Sequence, residues 1–403
     1  WDAVEGSCHV IRTRWIPRAQ VEKTETVDVP GVELSMDALG ALHNADAVTA
    51  ALEPLVGAYR AWIDEQWHSL KDWEGTRRET AEELLRLARV ASSRIGAGIQ
   101  ILRTDPDALD AFRVANRAVA RALTQRLGVQ QPRWRAFQLA FLVLNLPGLT
   151  RPEHADRQVV DLLFFPTGGG KTEAYLGLAA FAMVLRRLRH PGERGLAGAG
   201  VSVIMRYTLR LLTLDQLARA AGLVCALELE REKDTARYGE WPFEIGLWVG
   251  KGATPNNLGR KGDKRSDTAR TKVRQFKQEP RYKPSPIPLE NCPWCGTRFG
   301  PDSFQLLPNE DAPSELRIGC LNFECAFSGD RSLPIVAVGL PAAPRVPDRD
   351  SRQVRVAPVG RSCGGALRPC RPLRPGGLLR CGRAECRPPT SGAAPTSRSG
   401  HSG

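Results

Sequence analysis

The chain has 403 residues, enough for two or three domains and a substantial buried core. No secretory signal opens it, and the apolar run over residues 137–149 is too short to span a bilayer, so a cytoplasmic protein with no membrane partner is expected. The net charge of +13 sits in two segments: residues 251–283 hold eleven Lys/Arg against three acidic residues, and residues 341–403 hold twelve Arg against three, so only these can be argued to attract polyanions.

The chain begins at Trp1 without a Met, which reads as a start cut from something longer. Residues 1–75 mix short strand-like runs, such as 21–29, with helical patterns that include WIDEQWHSL. From about Arg77 to Leu127 the pattern is helical, broken at Thr104-Asp105-Pro106-Asp107, where Asp105 or Asp107 supplies an N-cap. Residues 1–127 are therefore expected to form a mainly helical region ahead of a second domain over residues 128–250.

The strongest signal is VVDLLFFPTGGGKTEAYLGLAAF over residues 159–181. An apolar strand, a glycine-rich turn and a helix opening at Lys171-Thr172 make a phosphate cradle. Backbone N–H groups of Thr167, Gly168, Gly169 and Gly170 can turn toward phosphates, because glycine tolerates the required φ angles. The helix N-terminus adds partial positive charge. Lys171 reaches the terminal phosphates of ATP, and the Thr172 hydroxyl ligates Mg2+. The general pattern places its first glycine at position 165, where this chain has Phe165. Strand-like runs at 201–207 and 243–249 then alternate with helices at 171–189 and 213–231, the pattern of an α/β parallel sheet flanked by helices.

Residues 251–290 are basic and nearly free of aliphatic side chains, and are expected to be a solvated loop. Ten cysteines in a chain of this type point to metal before disulfides, although Cys225, in GLVCALEL, reads as a small core residue. Cys292-x2-Cys295 and Cys320-x4-Cys325 form two short-spaced pairs separated by 24 residues. Four thiolates can close a tetrahedral structural Zn2+ site. The gap leaves room for a hairpin pairing residues 304–307 with 316–319, and so for a zinc-ribbon-like unit over 291–337. Beyond it, residues 338–403 are expected to be a disordered tail rich in Arg, Pro and Gly. Its GC-rich-codon composition also fits out-of-frame translation beginning near Gly339.

The stretches WRAFQLAFLVLNL, FFPTGGGKTEAYLGLAAF, VIMRYTLRLLTLDQLARA, IGLWVGKGATPN and the CPWCG cluster resemble superfamily 2 helicases, and within them the helicase subunit of the DISARM anti-phage defence system. The resemblance covers roughly residues 110–337. It implies a RecA-like first motor domain carrying the zinc-ribbon-like unit as an insertion, with ATP, Mg2+ and structural Zn2+ as cofactors. DNA and other defence-system subunits are the implied partners. It also implies that Gln138, 33 residues before Lys171, reads adenine through its amide, and that Arg206, Thr208 and Arg210 grip a nucleic-acid backbone. The chain departs from the family where an acidic DExx motif and a second motor domain should follow Lys171. Asp64-Glu65-Gln66 precedes the loop on a helical pattern and cannot serve. The chain is therefore expected to bind ATP weakly at best and not to turn it over. The alternatives are a non-catalytic zinc-containing nucleic-acid-binding fragment and another kind of P-loop NTPase.

Overall fold

The computed structural model describes residues 28–163, 169–206, 210–247, 255 and 257–336, with the side chains of residues 210–213 outside the description. The readings made for residues 21–27, for Thr167, Gly168 and Thr208, for the Arg210 side chain and for the tail beyond residue 336 lie outside the described residues.

Helices dominate. α1 (Met36–Gly40) is capped by Ser35, whose hydroxyl accepts from the Ala38 N–H, and α2 (Ala45–Ser69) is capped in the same way by Asn44. α3 (Gly75–Thr104) returns along α2, and Ile63, Leu70 and Leu85 form a small separate core at their far end. Asp64 lies on α2 and forms an exposed ion pair with Arg89 of α3, so the Asp64-Glu65-Gln66 stretch is helix surface. The break after α3 is set by Asp105, which caps α4 (Pro106–Leu127) by accepting from the Ala108 N–H at 3.0 Å, with Pro106 in the first turn, where its missing N–H costs nothing. Gly128, at φ 69°, ends α4 in a left-handed cap.

The main core gathers around α4, which packs on α1, on α7 (Lys171–Arg189) and on α8 (Arg210–Arg231). Its centre is Trp134, 2% exposed, whose indole N–H donates to Asn116 Oδ1 at 2.7 Å. Asn116 in turn donates to the Phe112 carbonyl at 2.8 Å, so the buried amide and indole satisfy each other. Backbone bonds from Trp134 N–H to the Leu34 carbonyl and from Met36 N–H to the Pro132 carbonyl tie the N-terminal helices to α5 (Ala136–Leu144). α6 (Leu146–Thr150) follows directly. Cys225 is fully buried on α8, as its apolar surroundings suggest.

Among the described residues the sheet is smaller than the alternating pattern predicts. Residues 159–163 and 201–206 run without ladder partners among the described residues, and Val160, Leu162 and Ile204 are 92%, 86% and 82% exposed. The parallel ladder that does form joins β1 (Ile245–Gly246) to β4 (Ile335–Val336). A short helix α9 (Thr235–Tyr238) leads into β1. Everything between residues 247 and 334 is an excursion between two neighbouring parallel strands.

That excursion is more ordered than its composition suggests. Within the expected solvated loop lies α10 (Ala269–Gln278), capped by Thr268. Its buried Ala269, Val273 and Phe276 fall at helical spacing, and Phe276 meets Phe304 edge-on at 5.6 Å. Phe304 belongs to β2 (Phe304–Leu307), which pairs antiparallel with β3 (Glu315–Ile318), Phe304 opposite Ile318.

Candidate nucleotide and metal sites

The start of α7 is where the expected phosphate-binding residues meet. Gly170 takes φ 86° as the N-cap, and Lys171 and Thr172 occupy the first turn. The positive φ favours glycine at position 170, and an added Cβ would lie 2.6 Å from Gln138 Nε2 and displace that side chain. Two residues of the α5 entry hold the loop by its carbonyls. Arg135 donates to the Gly169 carbonyl and Gln138 Nε2 to the Gly170 carbonyl, each at 2.7 Å. Gln138 Oε1 accepts from the Arg135 N–H at 2.7 Å, and the side chain is 4% exposed. With the carbonyls of Gly169 and Gly170 drawn toward α5, Gln138 is placed as a brace on the loop backbone.

Thr172 is buried, and its hydroxyl lies 3.0 Å from the Tyr175 hydroxyl. Tyr175 also lies 2.8 Å from Gln216 Oε1 on α8. Thr172, Tyr175 and Gln216 thus form a hydrogen-bonded chain from the head of α7 to α8. Glu173, next in the chain, pairs with Arg126 of α4 at 3.1 Å and with Arg219 of α8. Burial pushes its carboxyl up, but the two arginines outweigh that and hold it below the usual range. Arg206 is exposed, and Arg210 is the first residue of α8. Tyr175, Gln216 and the Glu173–Arg219 pair were not anticipated. The Thr172-to-Tyr175 spacing of one helical turn is the signal that could have found the first.

The four cysteines converge. Cys292 and Cys325 sulfurs are 3.9 Å apart, those of Cys295 and Cys320 are 3.4 Å apart, and all four lie within 4.8 Å of one another. Four thiolates ~2.3 Å from a tetrahedral Zn2+ would stand ~3.8 Å apart, so the cluster fits a closed metal site. The knuckles are built for it. Gly296 turns at φ 77°, and the N–H groups of Asn322 and Phe327 point at the Cys320 and Cys325 sulfurs at 3.4 and 3.5 Å. Burial pushes the Cys292 thiol far up and Cys325 up to about 12. Cys295 is also penalised by burial, but the Thr297 hydroxyl and N–H hold it down at about 7. Trp294, inside the first knuckle, is buried and lies under Arg121 of α4 at 5.3 Å, which seats this unit on the helical core.

Together these features define a helical protein with a glycine-capped, phosphate-loop-like helix start and a four-cysteine site that could hold a metal ion. The chain is 31% identical over 347 residues to the DISARM protein DrmA of Bacillus paralicheniformis, a match that covers 79% of this chain and 30% of that protein. The chain thus spans about a third of the length of the curated relative it matches. No family model matches the chain. Among the described residues no helix is long and apolar enough to cross a membrane.

Proposed function

We propose that this chain carries the nucleotide-binding part of an ATP-dependent nucleic-acid helicase or translocase of the superfamily 2 type, acting on DNA in the cytoplasm with other subunits of a DISARM-type defence system. The similarity to the DISARM protein DrmA supports the system. The observation that carries the nucleotide reading is the start of α7, where left-handed Gly170 precedes Lys171-Thr172 and Arg135 and Gln138 hold the loop carbonyls back. In this reading Lys171 holds the ATP phosphates, Thr172 ligates Mg2+, and the loop from Thr167 to Gly170 offers its N–H groups. Gln138 contacts the adenine through its amide and also braces that loop through the Gly170 carbonyl. ATP supplies the driving force for movement along nucleic acid when bound. Arg206, Thr208 and Arg210 face the nucleic-acid backbone. The chain from Tyr175 through Gln216 links the Mg2+ ligand to the same helix that Arg210 opens.

The β1–β4 pair is, in this account, part of a RecA-like parallel sheet, with the basic segment and a zinc-ribbon-like unit inserted between two of its strands. Cys292, Cys295, Cys320 and Cys325 hold Zn2+ in a structural role, since four thiolates leave no open position for catalysis. DNA-stimulated ATP hydrolysis by the purified chain, with Lys171→Ala as control, tests the proposal. The chain supplies no DExx carboxylate after Lys171, so binding without turnover is expected. Turnover lost in Lys171→Ala would show that another residue provides that carboxylate. Salt-sensitive DNA binding together with no nucleotide binding at all would favour a non-catalytic zinc-containing nucleic-acid-binding fragment.

A further inference from the structure

The turn after α10 exposes an aromatic side chain between two cations. Tyr282 is 85% exposed, although most tyrosines bury the ring and leave only the hydroxyl wet. Its backbone is fixed. The N–H groups of Tyr282 and Lys283 both donate to the Glu279 carbonyl, at 3.1 and 2.9 Å, so the turn that presents the ring is closed by hydrogen bonds. Arg281 and Lys283 flank it in sequence and are exposed.

α10 continues the same surface. Arg270, Arg274 and Lys277 recur at helical spacing in a stripe that borders buried Val273 and Phe276, with Arg270 and Lys277 partly covered and Arg274 exposed. Arg270 and Lys277 are drawn to the β2–β3 turn. Arg270 donates to the Glu310 carbonyl at 2.6 Å, and Lys277 pairs with the Glu310 carboxylate at 3.0 Å. Arg274, between them, is exposed, and among the described residues neither it nor Arg281 has an ion-pair partner, while Lys283 pairs with Glu279 at 3.9 Å. The segment therefore keeps a net positive face after its internal pairs are formed.

We infer that the outer face of α10 and the Arg281-Tyr282-Lys283 turn form a docking surface for single-stranded nucleic acid, with Tyr282 stacking on a base and Arg274, Arg281 and Lys283 meeting phosphates. A phosphate backbone supplies the complementary charge. An exposed, backbone-fixed ring offers a flat apolar face that unstacked bases fit and paired bases in a duplex do not. The surface shares its class of partner with the proposed function but uses no residue of the phosphate loop, so the two readings can fail separately.

The test is fluorescence anisotropy of a labelled oligo-dT and of a duplex of equal length, titrated with the full chain and with Tyr282→Ala, Tyr282→Phe, Arg274→Ala/Arg281→Ala and Lys171→Ala. The basic tail is common to all of them and cancels in the comparison. Tyr282→Ala is expected to weaken oligo-dT binding about 5- to 100-fold, the range for losing one base–aromatic stack, while Tyr282→Phe stays near wild type. Removing the two arginines should reduce the single-strand salt slope by ~0.7 per lost phosphate contact. Lys171→Ala should leave oligo-dT binding without nucleotide unchanged. Tyr282→Ala binding oligo-dT within twofold of wild type would overturn the inference. So would an equal loss on oligo-dT and duplex, which would make the surface a general polyanion contact.

Discussion

The crossing of α3 and α5 sets the position of the loop-bracing residues, and two glycines on α3 allow it to be probed with an internal control. A Cβ added at Gly98 would lie 2.0 Å from the Val143 carbonyl oxygen and 2.8 Å from its carbon, so the helices would have to part by about 1 Å or more. Alanine favours a helix interior over glycine by ~0.8–1.0 kcal/mol. Overpacking a tight contact costs ~1–3 kcal/mol, and because the obstacle here is backbone the upper half of that range applies. Gly98→Ala is therefore expected to destabilise by about 1–2 kcal/mol net. At Gly96, two residues from that contact, an added Cβ meets nothing within 4 Å. Gly96→Ala keeps only the propensity gain and should stabilise by up to ~1 kcal/mol. Urea unfolding followed by circular dichroism reads both. Opposite shifts of the midpoint are expected, and shifts of the same sign would refute the claim that close approach at Gly98 holds α5 in place.

Two further outcomes are expected. Purified chain should carry one tightly held Zn2+, lost together with part of the thermal stability in Cys320→Ser; a metal-free wild type of unchanged stability would contradict the structural-zinc reading. Burial raises the Glu230 carboxyl, but Lys233 and Arg117, the latter at 3.0 Å, outweigh it and hold the group below its ordinary value. Its stabilising contribution is therefore full above the unfolded-state pKa of ~4.3 and fades as pH falls through the lower folded-state value. The stability gap between wild type and Glu230→Gln should be widest at neutral pH and close on acidification; a gap that widens in acid would reverse the assignment.

Local signals carried far in this chain. The glycine turn and the basic C-terminal end of α7 fixed both its ends, and Pro106 after a capping Asp105 fixed the α3–α4 break. The spacing of the two cysteine pairs anticipated the β2–β3 hairpin, and the four sulfurs meet as that spacing implied. What was not legible depends on partners. Residues 159–163 and 201–206 have strand-like side chains, but a strand exists through its ladder, and among the described residues they have none. α10 was hidden by charge: seven of its ten residues are charged or polar other than Thr, or Thr itself, and three apolar side chains at helical spacing were too sparse to outweigh them. The bracing role of Gln138 needed the loop's carbonyl directions, which no sequence pattern states.

The central claim is that Lys171, at the head of α7, holds a nucleotide's phosphates. Equilibrium binding of a fluorescent ATP analogue with Mg2+ to the full chain and to Lys171→Ala tests it most directly. The account predicts weak, saturable, Mg2+-dependent binding by the wild type and none by the variant. Equal binding by the two proteins, or none by the wild type when the fold and the metal site are intact, would contradict it.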